Sequence, residues 1–288
     1  FNNDDQQNVE GLNAELREFY VRRNLLGDDP RFSLAVGRQR YAGKYGLWWD
    51  DTFESVRFDY VDSFSRGFLA YGQKFYNYNT EVNELDPRDE KLHNALGEYA
   101  WNWRENQWAG VRFTYQKDHS DVDLDDGSDF TGWRYGGFAS AEHLDMLLLS
   151  DYHVELAALH GKRDNVASSG ISETNMRGWA VLTEFGRRFY DVAWQPRIVI
   201  RSGLTDKPGD DDDGFYLSRI QSDRLINDAS YSTRLVSSFM RMDIRNLLYY
   251  GIGVDAQPTA RSSVDMRVSD LRLRNSDAAL PVRTTEAQ

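Results

Sequence analysis

The stretch Trp108-Ala109-Gly110-Val111-Arg112-Phe113-Thr114-Tyr115-Gln116-Lys117 decides the fold. Val111, Phe113 and Tyr115 share one parity; Arg112, Thr114 and Gln116 share the other. A β-strand sends alternate side chains to opposite faces, so this segment has an apolar and a polar side. The pattern recurs in Val56, Phe58 and Tyr60 against Arg57 and Asp59. It recurs again in Leu248, Tyr250, Ile252 and Val254 against Tyr249, Gly251, Gly253 and Asp255. Segments of about ten residues are the length a tilted strand needs to cross a bilayer.

Working outward, the alternation predicts strands over 14–24, 31–40, 54–61, 66–75, 96–103, 108–117, 133–141, 152–160, 176–187, 192–203, 247–256 and 262–274. Short links fall at 27–30, 61–65, 104–107, 189–191 and 258–261, and long ones at 41–53, 76–95, 118–132, 161–175 and 204–246. Between 142 and 151 the reading is open, because Met146 to Leu149 could extend a strand. Short and long links take turns, as in bacterial barrels with tight periplasmic turns and longer outer loops. Tyr99, Trp101 and Trp103 share a face before a short turn and Trp108 follows it, where interfacial aromatics belong. The predicted class is all-β: an antiparallel up-and-down transmembrane β-barrel forming one domain over 1–288, in a bacterial outer membrane. A soluble β-sandwich would also show period 2. Against it, arginines recur on the polar faces: Arg57, Arg112, Arg197, Arg201 and Arg267.

Composition narrows the choice. The chain has 288 residues, 40% of them hydrophobic, and no apolar run approaching the roughly 18 residues of a membrane helix. A mean hydropathy of -0.67 does not argue against a barrel, in which only every second strand residue faces lipid. There is no cysteine, which suits the periplasm and outer membrane. The net charge of -12 argues against nucleic acid. Of 34 basic residues only Lys44, Lys74, Lys91, Lys117, Lys162 and Lys207 are lysine, leaving 28 arginines. Arginine offers carboxylates a planar fork that never loses its charge. Arginine–carboxylate ladders inside a polar barrel, or a path for a carboxylate-bearing ligand, both explain this. The acidic stretches Asp121 to Asp126 and Asp210 to Asp213 carry no EF-hand pattern and read as solvated loops, with calcium left open. The histidines His93, His119, His143, His153 and His160 sit in no catalytic or metal spacing, so no enzyme, cofactor or metal is expected.

From Arg17 to about Asp121 the chain resembles the alginate export porins of bacterial outer membranes. The matching stretches are Arg17-Glu18-Phe19-Tyr20-Val21, Val36-Gly37-Arg38-Gln39-Arg40, Gly46-Leu47-Trp48-Trp49-Asp50 leading into Glu54-Ser55-Val56, Gln73-Lys74-Phe75, Tyr78, Asn83-Glu84-Leu85-Asp86-Pro87 and Trp108-Ala109-Gly110-Val111-Arg112. Residues 174–274 are similar more loosely, through Ser222-Asp223-Arg224 and on to Arg234. The resemblance implies a monomeric barrel of about eighteen strands, exporting alginate passively through an electropositive constriction. About twelve strands are visible here; the chain begins in loop-like sequence and ends Thr284-Thr285-Glu286-Ala287-Gln288, without the aromatic residue on which the last strand of such barrels commonly ends. An interior section lacking strands at both ends is expected, with a genuine twelve-stranded barrel as the rival.

Carried over by motif, the constriction positions are Arg17, Glu18, Arg40 and Asp50, with Glu81 at an acidic position and Arg224 and Arg234 through the looser match. Asn77 departs from the family's carboxylate. Arg38 joins Arg40 by parity, and Arg112 by its polar face. Arg17 and Glu18 are neighbours, so in a regular strand only one faces the lumen. Arg40 shares parity with Phe32, Leu34 and Val36, so either the strand ends or bulges near Gly37, the favoured reading, or that apolar face points inward. Asp50 could instead cap its loop, and Trp48 and Trp49 read as loop packing or interface anchors. The function implied is an arginine-lined outer-membrane channel for an alginate-like polyuronate. A general anion or oligosaccharide porin and a soluble polyuronate-binding β-protein are the alternatives. The partners implied are the acidic polysaccharide, outer-membrane lipid and periplasmic secretion-complex proteins.

Overall fold

A computed structural model of the chain describes residues 15–76, 85, 89–120, 128–144, 146, 148–167, 170–209, 214–218, 220, 244–259 and 261–276. Among these, twelve strands form one sheet whose order in space is their order in sequence. They are β1 (Phe19–Leu26), β2 (Asp29–Ala42), β3 (Asp50–Val61), β4 (Ser65–Gln73), β5 (Leu92–Arg104), β6 (Gln107–Asp118), β7 (Ser128–Ala141), β8 (Asp151–Ala167), β9 (Gly170–Arg188), β10 (Arg197–Thr205), β11 (Leu247–Thr259) and β12 (Ser262–Leu273). All ladders are antiparallel, and β1 and β12 are the two edges. The sheet is the up-and-down arrangement that the sequence predicts. No helix among the described residues is long and apolar enough to cross a membrane, which says nothing of crossing by strands.

The two faces follow the alternation. One buries Ala35, Gln39, Tyr41, Phe53, Ser55, Leu96, Thr114, Arg134, Glu155, Glu184, Arg201 and Tyr249; we call it the inner face. The other exposes apolar rows running across paired strands, such as Val21–Val36–Val56–Tyr71 and Ile200–Ile252–Val268. Val111 is 53% exposed on this outer face, while Arg112 turns inward. Contiguous exposed apolar surface on this scale calls for a non-aqueous neighbour. Outer aromatics band it at two levels. Phe64, Trp101, Trp103 and Trp194 lie by the short turns, and Tyr71, Tyr115 and Trp133 lie farther up, the last two with ring centroids 4.7 Å apart. From Trp103 to Ala95, the partner of Tyr115, is about 26 Å along the strand, or about 20 Å when tilted, close to the apolar band of known barrels.

Turn chemistry fixes the hairpins. Gly27 and Asp28 adopt φ of 65° and 64°, as a two-residue type I′ turn requires. Four expectations about extents are corrected. The predicted long link 161–175 is paired strand as far as Ala167↔Gly170. Its ladder is rich in polar residues, Lys162, Asp164 and Glu173 among them, so the apolar signal stops while backbone pairing continues. Val192 and Trp194 belong to a turn, and β10 starts at Arg197. β1 begins at Phe19 rather than 14. Finally, β2 has no register break at Gly37: Val36↔Val56, Gly37↔Ser55 and Arg38↔Glu54 pair in sequence. Gly37 is required instead for close approach, since a Cβ there would lie 2.4 Å from the Phe19 carbonyl oxygen, at φ 132°.

Two links at the far end fold back over the inner face. Leu47, Trp48 and Trp49 from the β2–β3 link and Phe215, Leu217 and Ile220 from the β10–β11 link join one buried cluster with Tyr41, Phe53, Met176 and Leu182. The tryptophans therefore pack, and neither is an exposed platform or anchor. Gly178 makes room for the second link: a Cβ there would stand 2.2 Å from the Phe215 nitrogen. The links hold each other, with Ser218 donating to the Trp48 carbonyl at 2.6 Å and the Asp50 amide to that of Ile220 at 2.8 Å.

Candidate functional site

The strand period places Arg57, Arg112, Arg197, Arg201 and Arg267 on the inner face, and the registers decide what meets them. Glu184 on β9 lies directly opposite Arg201 on β10 and His153 on β8. Its carboxylate accepts from Arg201, from Arg197 at 2.9 Å, from Lys44 at 3.2 Å and from the Tyr45 hydroxyl. Arg197 also donates to Asp151 at 3.0 Å and to Asp255 at 2.9 Å, and Arg188 reaches Asp255 at 2.7 Å. A second group centres on Arg112, which donates to its register partner Glu98 at 2.6 Å and to Glu155. Glu155 also lies 3.0 Å from His153, and the Arg112 guanidinium sits 4.1 Å from the Phe138 ring centroid.

Lys44 and Tyr45 join the two groups. They occupy a single 3-10 turn, Lys44–Gly46, that the β2–β3 link carries inward. Tyr45 takes a left-handed φ of 63°, a conformation that non-glycine residues hold at a cost of roughly 1–3 kcal/mol. It packs edge-on against His153 at 6.0 Å. Burial and the nearby Glu184 carboxylate push the Tyr45 phenol above its ordinary pKa, so it stays protonated and donates. Toward β3, Arg57 and Arg22 share Asp59 at 2.8 and 2.7 Å. Arg134, almost wholly buried, donates to Gln116 and to the Leu217 carbonyl at 3.1 Å, clasping the inward β10–β11 link.

The electrostatic consequence differs from a row of bare cations. Arg57, Arg112, Arg197 and Arg201 each hold at least one carboxylate. Removing one partner of a buried pair costs about 3–5 kcal/mol because it leaves a charge uncompensated. A new carboxylate arriving in place of the old one keeps the arginine compensated, and a displaced Glu184 still holds Lys44 and the Tyr45 hydroxyl. Such a surface can exchange carboxylates between arginines.

The positions suggested by motif fall elsewhere. The Arg40–Asp50 pair forms, and Arg38 donates to Glu54 at 2.9 Å and to Thr52 at 3.1 Å. With the register unbroken at Gly37, these side chains keep the parity of Val36 and lie on the outer-face side, near the end of β2 that leads into the long link. Arg17 is exposed and pairs with Glu15 at 2.8 Å, and Glu18 is exposed. Arg112 stands on the inner face. Glu81, Arg224, Arg234 and the divergent Asn77 lie outside the described residues, as do the acidic runs. Sequence reasoning missed Lys44, Tyr45, His153, Glu155 and Glu184 as partners. The parity of Glu155 and Glu184 in their strands was the available signal.

Comparison with known proteins supplies an independent line. A family model described as alginate export matches residues 1–287. An alginate production protein AlgE of Pseudomonas syringae pv. tomato is 28% identical over 211 residues, covering 66% of this chain and 42% of that protein. AlgE of Azotobacter vinelandii is 29% identical over 89 residues, covering 30% and 18%. AlgE of Pseudomonas aeruginosa is 28% identical over 102 residues, covering 35% and 21%. The chain thus matches less than half the length of these relatives.

Proposed function

This chain belongs to the alginate export family, and on that premise we propose that it forms the wall of an outer-membrane channel through which an acidic, alginate-like polysaccharide leaves the cell passively. We assign residues 1–288 to a single barrel domain. The observation that carries the reading is the pairing of faces: exposed apolar rows outside, and buried arginine–carboxylate groups inside.

The mechanism is exchange. A uronate carboxylate approaching Arg201 or Arg197 takes donors that Glu184 holds, and one approaching Arg112 takes those of Glu98 or Glu155. Each arginine keeps a carboxylate throughout, and the displaced carboxylate falls back on its other neighbours, Lys44 and Tyr45 for Glu184 and His153 for Glu155. Several similar sites in series bind well enough to admit the polymer and weakly enough to release it. Arg38, Arg40 and Asp50 belong to the outer mouth in this scheme. The -12 net charge is no obstacle, since local charge governs the path.

The test uses the full-length protein in liposomes, comparing efflux of uronate oligomers with neutral oligosaccharides of equal length. Faster uronate efflux that Arg201→Glu abolishes supports the reading. Equal fluxes would assign the protein to the general porins.

A further inference from the structure

A second site lies away from the inner face, at the short-turn end. The β7–β8 link and the β9–β10 turn enclose a cavity of about 450 Å³ lined by His143, Arg187, Phe189, Tyr190, Asp191 and Val192, with Leu144 and Arg188 behind them. Three features make it more than a crevice between turns.

The first is position. Arg187 pairs in register with Ile198, which pairs with Val254 and then Met266, so it ends an outer apolar row at the level of the short turns. Exposed Phe189, Tyr190, Val192 and Trp194 surround it. A long cation and aromatics at the edge of an apolar band are how barrels and membrane helices meet headgroups.

The second is unused bonding capacity. Among the described residues the Arg187 guanidinium donates only to the Met146 carbonyl, at 2.5 Å, and rests 5.7 Å from the Phe189 ring centroid. The Asp191 side chain has no hydrogen bond or ion pair among the described residues. This contrasts with Arg188, which lines the same cavity but is held by Asp255 and the Gln195 carbonyl. The third is backbone cost. His143, Trp194 and Gln195 all adopt left-handed φ, at 54°, 69° and 44°. Strain of this kind persists where surrounding contacts impose it, and it clusters at ligand sites. Here it holds the His143 ring 3.2 Å from the Tyr190 hydroxyl.

We propose that this cavity binds the phosphoethanolamine headgroup of a membrane phospholipid, the phosphate on Arg187 with His143 and Tyr190, and the primary ammonium on Asp191. A guanidinium with donors to spare and a carboxylate with no partner among the described residues, in one cavity, match a zwitterion better than a simple anion. Charge-assisted bonds to phosphate are the stronger half of the match. The acyl chains then lie along the apolar rows above, which begin at Ile198 and Phe185. With short turns periplasmic, the lipid belongs to the inner leaflet. The inference rests on the membrane-barrel reading, and its test separates the two.

The full-length protein is placed in phosphatidylcholine nanodiscs doped with phosphatidylethanolamine or phosphatidylglycerol, and retained lipid is counted by native mass spectrometry. Wild type should retain one phosphatidylethanolamine in clear preference to phosphatidylcholine. Arg187→Gln should reduce retention of both minor lipids about tenfold. Asp191→Asn should reduce phosphatidylethanolamine but raise phosphatidylglycerol, a reversal that a merely structural role would not produce. Inorganic phosphate at 10 mM, on the order of ordinary buffer, should not displace the lipid; displacement would assign the site to free phosphate and overturn the proposal. Normal channel conductance with no preference among lipids overturns this site alone. Failure to insert in bilayers overturns the barrel reading with it.

Discussion

Glu184→Gln tests the exchange mechanism at its hub. The substitution keeps the shape and removes one negative charge from a carboxylate that serves Arg197, Arg201, Lys44 and Tyr45. Arg197 retains Asp151 and Asp255, so the fold keeps part of its compensation. A uronate carboxylate sharing an arginine with Glu184 would sit about 6 Å from it. At that separation the repulsion is about 0.7 kcal/mol in bulk water and about 2.8 kcal/mol at an effective dielectric of about 20. Removing it should raise uronate occupancy between about threefold and a hundredfold. The same change leaves one more uncompensated cation in the path, so anion selectivity should rise. In planar bilayers the reversal potential under a salt gradient reads the selectivity, and the residence time of uronate oligomers reads the occupancy. Residence should lengthen, and net polymer flux should fall once release becomes slow. Unchanged selectivity and residence in a folded variant would refute the claim that Glu184 competes with the passing carboxylate.

Other outcomes follow from particular contacts. Gly178→Leu should prevent Phe215 from docking, because even a Cβ would stand 2.2 Å from its nitrogen; single-channel conductance should rise while strand content by circular dichroism stays constant. Ile252→Arg on the outer face should cost about 2–4 kcal/mol in lipid vesicles near the midplane, read by denaturant unfolding, whereas an exposed site on a soluble sheet would change by no more than about 0.5 kcal/mol. Asp62, in the β3–β4 turn, has its pKa lowered to about 2, first by the Tyr60 hydroxyl and then by the Phe64 and Ser65 amides. Its contribution is therefore complete above the ordinary carboxylate range and is lost as pH falls through about 2. The turn should stay ordered at about pH 4, where an ordinary aspartate is half protonated, and carboxyl chemical shifts would show it.

The strands were legible because one face of each is apolar. Val111-Arg112-Phe113 gives class, direction and facing without any partner. The signal failed where both faces are polar: β8 and β9 continue to Ala167 and Gly170 through backbone pairing that no side-chain pattern announces. It failed at Gly37 for the opposite reason. An arginine, Arg40, on the parity of Phe32, Leu34 and Val36 suggested a bulge at Gly37, but the glycine is there so that β1 can approach, and the register that puts Arg40 on the side of Val36 is continuous. The inner-face arginines were readable by parity. Their partners were not: Lys44 and Glu184 are 140 residues apart, and only the folding-back of the β2–β3 link brings them together. Nothing in Ala42-Gly43-Lys44-Tyr45-Gly46 distinguishes an inward link from an exposed one.

The chain has no cysteine, so single reporters can be placed at will. Lys44→Cys sits on the inward link beside Glu184, and Val56→Cys on an outer apolar row. The most direct measurement is their reaction, in proteoliposomes of the full-length protein, with a charged membrane-impermeant thiol reagent, with and without uronate oligomers. The account predicts that Lys44→Cys reacts and is protected by uronate but not by a neutral oligosaccharide, while Val56→Cys stays unmodified in lipid. Comparable labelling at both positions, or equal protection by neutral sugar, would contradict it.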